Sequence, residues 1–206
     1  MTAKPPAPVT LTGTHVRLEP FDPAHVPDLF GATGRDEEVW RWIPVAAPQS
    51  EQQFADLVRS WQANGFLPFT VVDRQTGRAV GLTCYLDVSA RDERLEIGGT
   101  FYARPVWRTA VNTESKLLLL THAFEELGMG RVCWKTDLLN ERSQNAIRRL
   151  GAQYEGTHRR ERRRADGTFR DTVYFSMLRE EWPAAKLRLT GRLAAGQAPT
   201  GRPGPG

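Results

Sequence analysis

The chain has 206 residues, 40% of them apolar and 25% charged, with a net charge of +4. That length supports one well-buried core, and the composition excludes the disordered, fibrous and collagen-like classes. The charge permits an anionic ligand without demanding one. Two cysteines, Cys84 and Cys133, have no metal-site spacing and do not suggest a disulfide framework, so a reducing, cytoplasmic compartment is expected. No apolar run reaches membrane-spanning length, and the start, MTAKPPAPVT, lacks a signal peptide's apolar core.

In chain order, residues 1–9 are proline-rich and expected to be flexible. VRLEPF (16–21) alternates like a strand. DPAHVPDLFGATG (22–34) reads as a short helix. QSEQQFADLVRSWQANG (49–65) reads as a longer one, with Phe54, Leu57, Val58 and Trp61 at helical spacing. FLPFTVVD (66–73), the turn RQTG and AVGLTCYLDV (79–88) form a hairpin, and RLEIGGTFY (94–102) is a further strand. RPVWRTAVNTESKLLLL (104–120) is a strand-to-helix junction whose helix runs to about Leu127 and stops at GMG (128–130). RVCWKTDL (131–138) is a strand and ERSQNAIRRLG (141–151) a helix. AQYEGTHRRERRR (152–164) and FRDTVYFSML (169–178) make a last hairpin around the turn ADGT. A helix returns in EEWPAAKLRLTGRL, with Pro183 tolerated in its first turn, and the tail AAGQAPTGRPGPG has the composition of disorder. This order predicts one α/β (α+β) domain at residues 10–185, with a mixed, mostly antiparallel twisted sheet. A C-terminal helix extension and tail follow at 186–206.

Several residues invite a chemical reading. The start of the helix after Pro105 exposes free amides and the positive end of the helix dipole, a natural phosphate site, although no glycine marks it. The plain alternative is an ordinary helix start capped by Asn112 or Thr113. Glu96 lies mid-strand between Leu95 and Ile97, where a carboxylate is disfavoured. Facing a cleft, it would have a raised pKa and suit a general base; facing solvent, it is only the polar member of an alternating strand. Asn140 stands where a helix N-cap belongs. Trp40 and Trp42 precede a proline in a loop and are candidates for an acceptor wall, one of them being expected to join the core. Gly98 and Gly99 inside a strand suggest a bulge. In HRRERRR (158–164), five arginines and one glutamate carry +4, as much as the whole chain. That run reads as a solvated edge hairpin; the rival reading is contact with an anion or with nucleic acid. The four histidines form no sequence cluster, so no metal is expected.

Four stretches in order resemble the GNAT superfamily of acyl-CoA-dependent N-acetyltransferases, and within it the RimJ/RimL-like branch. They are LTGTHVRLEPF, LEIGGTFYARPVWRTAVNTESKLLLLTHAFEELG, DLLNERSQNAIRRLGAQYEGTHR and DGTFRDTVYFSMLREEWP. The resemblance implies a GNAT fold, a twisted sheet of six to seven strands flanked by helices on both faces. It implies acetyl-CoA (coenzyme A) as acyl donor and a small-molecule or peptide amine as acceptor, a ribosomal-protein N-terminus being one candidate. It implies a cofactor loop of pattern Gln/Arg-x-x-Gly-x-Gly/Ala, which falls here on Trp107 to Asn112; its key positions hold Trp107, Ala110 and Asn112 instead. The loop residues Arg108, Thr109, Ala110, Val111, Asn112 and Thr113 would then meet the pyrophosphate. Phe101 and Tyr102 would pair with pantetheine through their backbone, and Asn140 would bond the same arm. Glu96 would lie near the acceptor amine, and Ser143 near the thioester sulfur. The tyrosine acid of many relatives falls on Ile147, which has no proton to give. A left-handed backbone at Ala110 would be strained. A monomer or homodimer is expected, with no membrane partner. An acyl-CoA sensor without chemistry and a nucleic-acid-associated protein are the other readings.

Overall fold

The computed structural model describes residues 2–164 and 166–196. Eight strands form one sheet: β1 (Leu11–Thr12), β2 (Val16–Pro20), β3 (Leu67–Asp73), β4 (Ala79–Ser89), β5 (Arg94–Tyr102), β6 (Arg131–Asp137), β7 (Gln153–Arg163) and β8 (Phe169–Leu178). They lie in the order β1-β2-β3-β4-β5-β6-β8-β7. All neighbours are antiparallel except β5 and β6. That is one strand more than the upper expectation, because the two-residue β1 is too short to show a periodicity.

The helices are α1 (Val26–Leu29), α2 (Glu37–Trp40), α3 (Glu51–Ala63), α4 (Ala110–Thr121), α5 (Glu141–Leu150) and α6 (Trp182–Ala194). The helix expected over residues 22–34 is broken up: a 3-10 turn at Pro23–His25, the single α turn of α1, and a π turn at Phe30–Gly34. Ser50 caps α3, its side chain accepting the Gln53 N–H at 3.2 Å. The α4 helix ends in a π turn, His122–Glu126, ahead of Gly128.

Two apolar layers sandwich the sheet. On one face Val111, Leu119 and Leu120 of α4, Ile147 and Leu150 of α5, and Trp182, Ala185 and Leu189 of α6 cover Leu18, Val71, Tyr85, Leu95, Ile97, Val132 and Phe175. On the other, Val26, Leu29, Val39, Trp40, Phe54 and Val58 from α1–α3 cover Leu82, Cys84 and Phe101. Strand alternation sends consecutive side chains to opposite layers. Beyond the reach of α1–α3 the second face turns polar, carrying Lys135 and Asp137 of β6 and Arg170, Thr172 and Tyr174 of β8.

The proline-rich start differs from the flexible arm expected. Ala3 is buried in the first layer and the Lys4 N–H donates to Leu127 O at 3.0 Å. The described end of the chain is Gly196; the rest of the tail lies outside the described residues.

Candidate active site

The site forms where the sheet comes apart. β5 and β6 pair in parallel at only three positions, Arg94↔Arg131, Leu95↔Val132 and Glu96↔Cys133. Beyond Glu96 both strands continue, β5 to Tyr102 on β4 and β6 to Asp137 on β8, without pairing to each other. A V-shaped fork opens between them, with Glu96 at its apex. β5 carries the predicted bulge, for the register with β4 shifts between Leu82 and Cys84. Gly99 there has φ +56°, and a Cβ on it would meet Cys84 Sγ at 3.1 Å, so glycine fits both the turn and the space.

Glu96 is 4% exposed. Lys135 Nζ, two residues past the fork on β6, donates to Asp87 Oδ2 at 2.8 Å and sits 2.8 Å from Glu96 Oε2. The second contact is an ion pair without hydrogen-bond alignment, and Oε2 has no hydrogen-bond partner among the described residues. Burial raises the pKa of Glu96 above the usual carboxylate range, and Lys135 only partly opposes it. Asp87 is held below its ordinary value, first by the bond from Lys135. Burial works against the charge on Lys135, but its bond to Asp87 and its ion pair with Glu96 outweigh that and raise its pKa.

At the far side of the fork stands the start of α4. Thr109 is the N-cap: its side chain accepts the Val111 N–H at 3.3 Å, and its hydroxyl donates to Val106 O at 2.7 Å. The cap expected at Asn112 or Thr113 is thus at Thr109, because the helix begins three to four residues earlier. The left-handed residue is not Ala110 but Arg108, at φ +63°. The strain considered for Ala110 falls instead on an arginine, at a cost of about 1–2 kcal/mol. The first-turn amides, from Ala110 to Asn112, have no intrahelical acceptor. Trp107 closes this end: its Nε1 donates to Tyr102 O at 2.8 Å, and the Arg142 guanidinium of α5 stacks 3.9 Å from its ring centroid. Glu114 anchors the helix to β2, accepting the N–H groups of Thr14, His15 and Val16 at 2.8, 2.6 and 2.7 Å.

Asn140 is the N-cap of α5, its Oδ1 accepting the Ser143 N–H at 3.0 Å. Buried Asp137 orders the turn before it, accepting from Leu139 N–H at 2.9 Å and from Arg164 Nε at 2.6 Å. Ser143 is half-buried in the first turn of α5. Phe101 packs in the second layer against Trp40, while Tyr102 turns to the first.

The two tryptophans separate. Trp40 is 4% exposed, stacks near Phe101 at 5.1 Å between centroids, and donates from Nε1 to Thr33 O at 2.8 Å. It is core, which removes it from the acceptor wall. Trp42 is half-buried under the Arg41 guanidinium. The arginine run lies on the edge strand β7. Arg160 and Arg163 stack on Phe169, and Arg164 pairs with Asp137. Three of its five arginines are thereby bound within the fold.

Sequence reading missed Lys135, Asp87, Arg142 and Lys116. Lys116, on α4, is buried and donates to Thr83 Oγ1 (3.0 Å) and Thr100 Oγ1 (2.9 Å) beside the bulge. Burial drives its pKa down to about 7. A lysine inside RVCWKTDL and one inside SKLLLL break an apolar pattern as plainly as Glu96 does, and that was the available signal.

Residues 15–153 match the family model described as Acetyltransferase (GNAT) domain. The chain belongs to the GNAT acetyltransferase family. It is 30% identical over 139 residues to YdaF of Bacillus subtilis (strain 168), a protein that carries the name ribosomal N-acetyltransferase; the match spans 68% of this chain and 70% of that one. A GCN5-related N-acetyltransferase from Brucella melitensis superimposes with a TM-score of 0.88 at 28% identity, covering 97% of this chain and 90% of the other. Mycobacterium smegmatis RimJ, solved in complex with CoA-disulfide, shares the fold at a TM-score of 0.79 and 20% identity over 92% and 96% of the two chains. These relatives support the RimJ/RimL-like branch of the family, and the chain is an acetyl-transferring enzyme of the GNAT type. Among the described residues no helix is long and apolar enough to cross a membrane.

Proposed function

We propose that this GNAT domain moves the acetyl group of acetyl-CoA onto a primary amine, a peptide N-terminus or a small metabolite, by direct attack in a ternary complex. The observation that carries the reading is the fork that closes on Glu96: a slot whose two strand edges no longer pair with each other, with a buried carboxylate at its apex. The donor fits what surrounds that slot. The first-turn amides of α4 that the Thr109 cap leaves open, those of Ala110 and Asn112, together with the guanidinium of Arg108 and the exposed Arg142, offer donors for the pyrophosphate. The backbone edge near Phe101 and Tyr102 would hold the pantetheine arm, with Asn140 at the opposite wall. A fold neighbour solved with a CoA adduct supports the same donor. Bound there, acetyl-CoA supplies an activated thioester.

Glu96 then accepts a proton from the acceptor ammonium, and the neutral amine attacks. Ser143 stands at the start of α5 to donate a hydrogen bond to the departing sulfur. Trp42 lines the acceptor approach. An α-amine, with a pKa of roughly 7.7–8.0, is already about one-tenth neutral at pH 7, whereas a lysine at about 10.4 needs on the order of 4–5 kcal/mol to deprotonate. A buried carboxylate therefore suits α-amines, and a peptide acceptor agrees with the naming of YdaF.

Thiol release from acetyl-CoA, measured with free and N-blocked lysine-containing peptides, tests this. The expected result is release with the free α-amine alone, and a Glu96→Gln variant slowed most at low pH with coenzyme A affinity kept. Equal rates for Glu96→Gln and the parent enzyme at every pH would remove Glu96 as the base.

A further inference from the structure

Lys135 is the side chain that bridges the fork just beyond its apex. It rises from β6 on the same face as Cys133 and Asp137, and its Nζ reaches across to Glu96 on β5 and Asp87 on β4, both at 2.8 Å. It ties together three strands at the level where the β5–β6 ladder stops. Asp87 itself has φ +50° and sits in the irregular stretch where the register of β4 with β5 shifts between Leu86 and Ser89. That conformation turns its carboxylate back towards Lys135. Glu96 is buried, and a buried carboxylate without a cation takes up a proton rather than stay charged.

We propose that Lys135 is a positioning residue, which holds the Glu96 carboxylate aimed into the fork and keeps it ionised in the resting enzyme. The proposal rests on the reading of Glu96 as base. In the transfer step an N–H bond of the acceptor ammonium breaks and an O–H bond forms on Glu96. The amine lone pair then forms the C–N bond at the thioester carbon, the C–S pair leaves with the sulfur, and the second proton lost from the attacking nitrogen passes to the thiolate to give the free thiol. Lys135 keeps its proton throughout. Asp87 shares the ammonium and so sets how much of it Glu96 receives. The other groups that bear on Glu96 are Cys133 of β6, Arg162 of β7, and Arg170 and Tyr174 of β8. Arg162 and Arg170 add to the positive field, but neither touches the carboxylate as Lys135 does.

Two variants move Glu96 in opposite directions, which separates this role from a merely structural one. Removing the cation in Lys135→Met raises the Glu96 titration midpoint by about one pH unit or more, and Lys135→Arg restores most of the shift. Asp87→Asn, a replacement that tolerates a left-handed backbone, frees the ammonium for Glu96 and lowers the midpoint. The experiment is a carboxyl-carbon NMR titration of glutamate-labelled full-length protein, with the Glu96 resonance assigned by its loss in Glu96→Gln. Midpoints unchanged in both variants, or shifted the same way, would overturn the role of Lys135. If Lys135→Met does not fold, the direction of Asp87→Asn alone decides. The titration needs no acceptor, so its outcome is independent of whether Glu96→Gln slows thiol release, which judges the base assignment.

Discussion

Lys116 makes the stability of this protein depend on pH in a direction opposite to that of a paired lysine. Among the described residues its ammonium donates to the hydroxyls of Thr83 and Thr100, and burial lowers its pKa from 10.5 to about 7. In the unfolded chain the group stays protonated up to about pH 10.5, while in the folded chain it loses its proton above about 7. Between those values the unfolded state binds more protons, so stability rises with pH. The full difference, about 3.5 pH units at 1.36 kcal/mol each, is about 5 kcal/mol. From about pH 7 to about pH 9 the part regained is about 2 kcal/mol, or roughly 4–8 °C in Tm for a chain of this size. Lys116→Met removes the charge and keeps most of the volume. Calorimetry of both proteins across that window should show the parent climbing relative to the variant, with the variant the more stable near neutrality. Parallel Tm curves across the window would refute a depressed pKa for Lys116.

Other consequences follow from positions that the structure reassigns. The left-handed residue of the cradle is Arg108, so Ala110→Gly relieves no strain. Coenzyme A affinity by calorimetric titration should stay within about twofold while stability falls by about 0.5–1 kcal/mol. A gain of about tenfold in affinity would return the strain to Ala110. Trp40→Ala should cost about 3–5 kcal/mol by denaturant unfolding, because it opens a cavity against Phe54 and Phe101. Trp42→Ala should raise the acceptor KM while leaving stability within about 0.5 kcal/mol. A loss of folding in Trp42→Ala, with kinetics intact, would exchange the two assignments.

Elements with a strong local signal were legible in the sequence. The bounds of α3, β5, β6 and α5 follow from apolar spacing, from Ser50 and Asn140 as caps, and from Gly151 as a stop. Glu96 stood out because a charge inside a strand has a cost, and the same reasoning extends to Lys116 and Lys135. Those two escaped because their partners are distant in sequence: Thr83 and Thr100 lie 33 and 16 residues from Lys116, and Asp87 lies 48 from Lys135. Backbone conformation was the other gap. Side-chain pattern carries no sign of φ, so a glycine-free loop drew attention to Ala110 while the turn was made at Arg108. The separation of Trp40 from Trp42 depends on which one the short α2 turns inward, and four residues are too few to show a period.

The most direct test of the account is a crystal structure of the protein saturated with acetyl-CoA. The pyrophosphate should lie against the start of α4, between Arg108 and Asn112, and the pantetheine arm in the fork between β5 and β6. The thioester should lie between Glu96 and Ser143. Density elsewhere, for instance along the arginine edge of β7, or a closed fork in a saturated crystal, would contradict it.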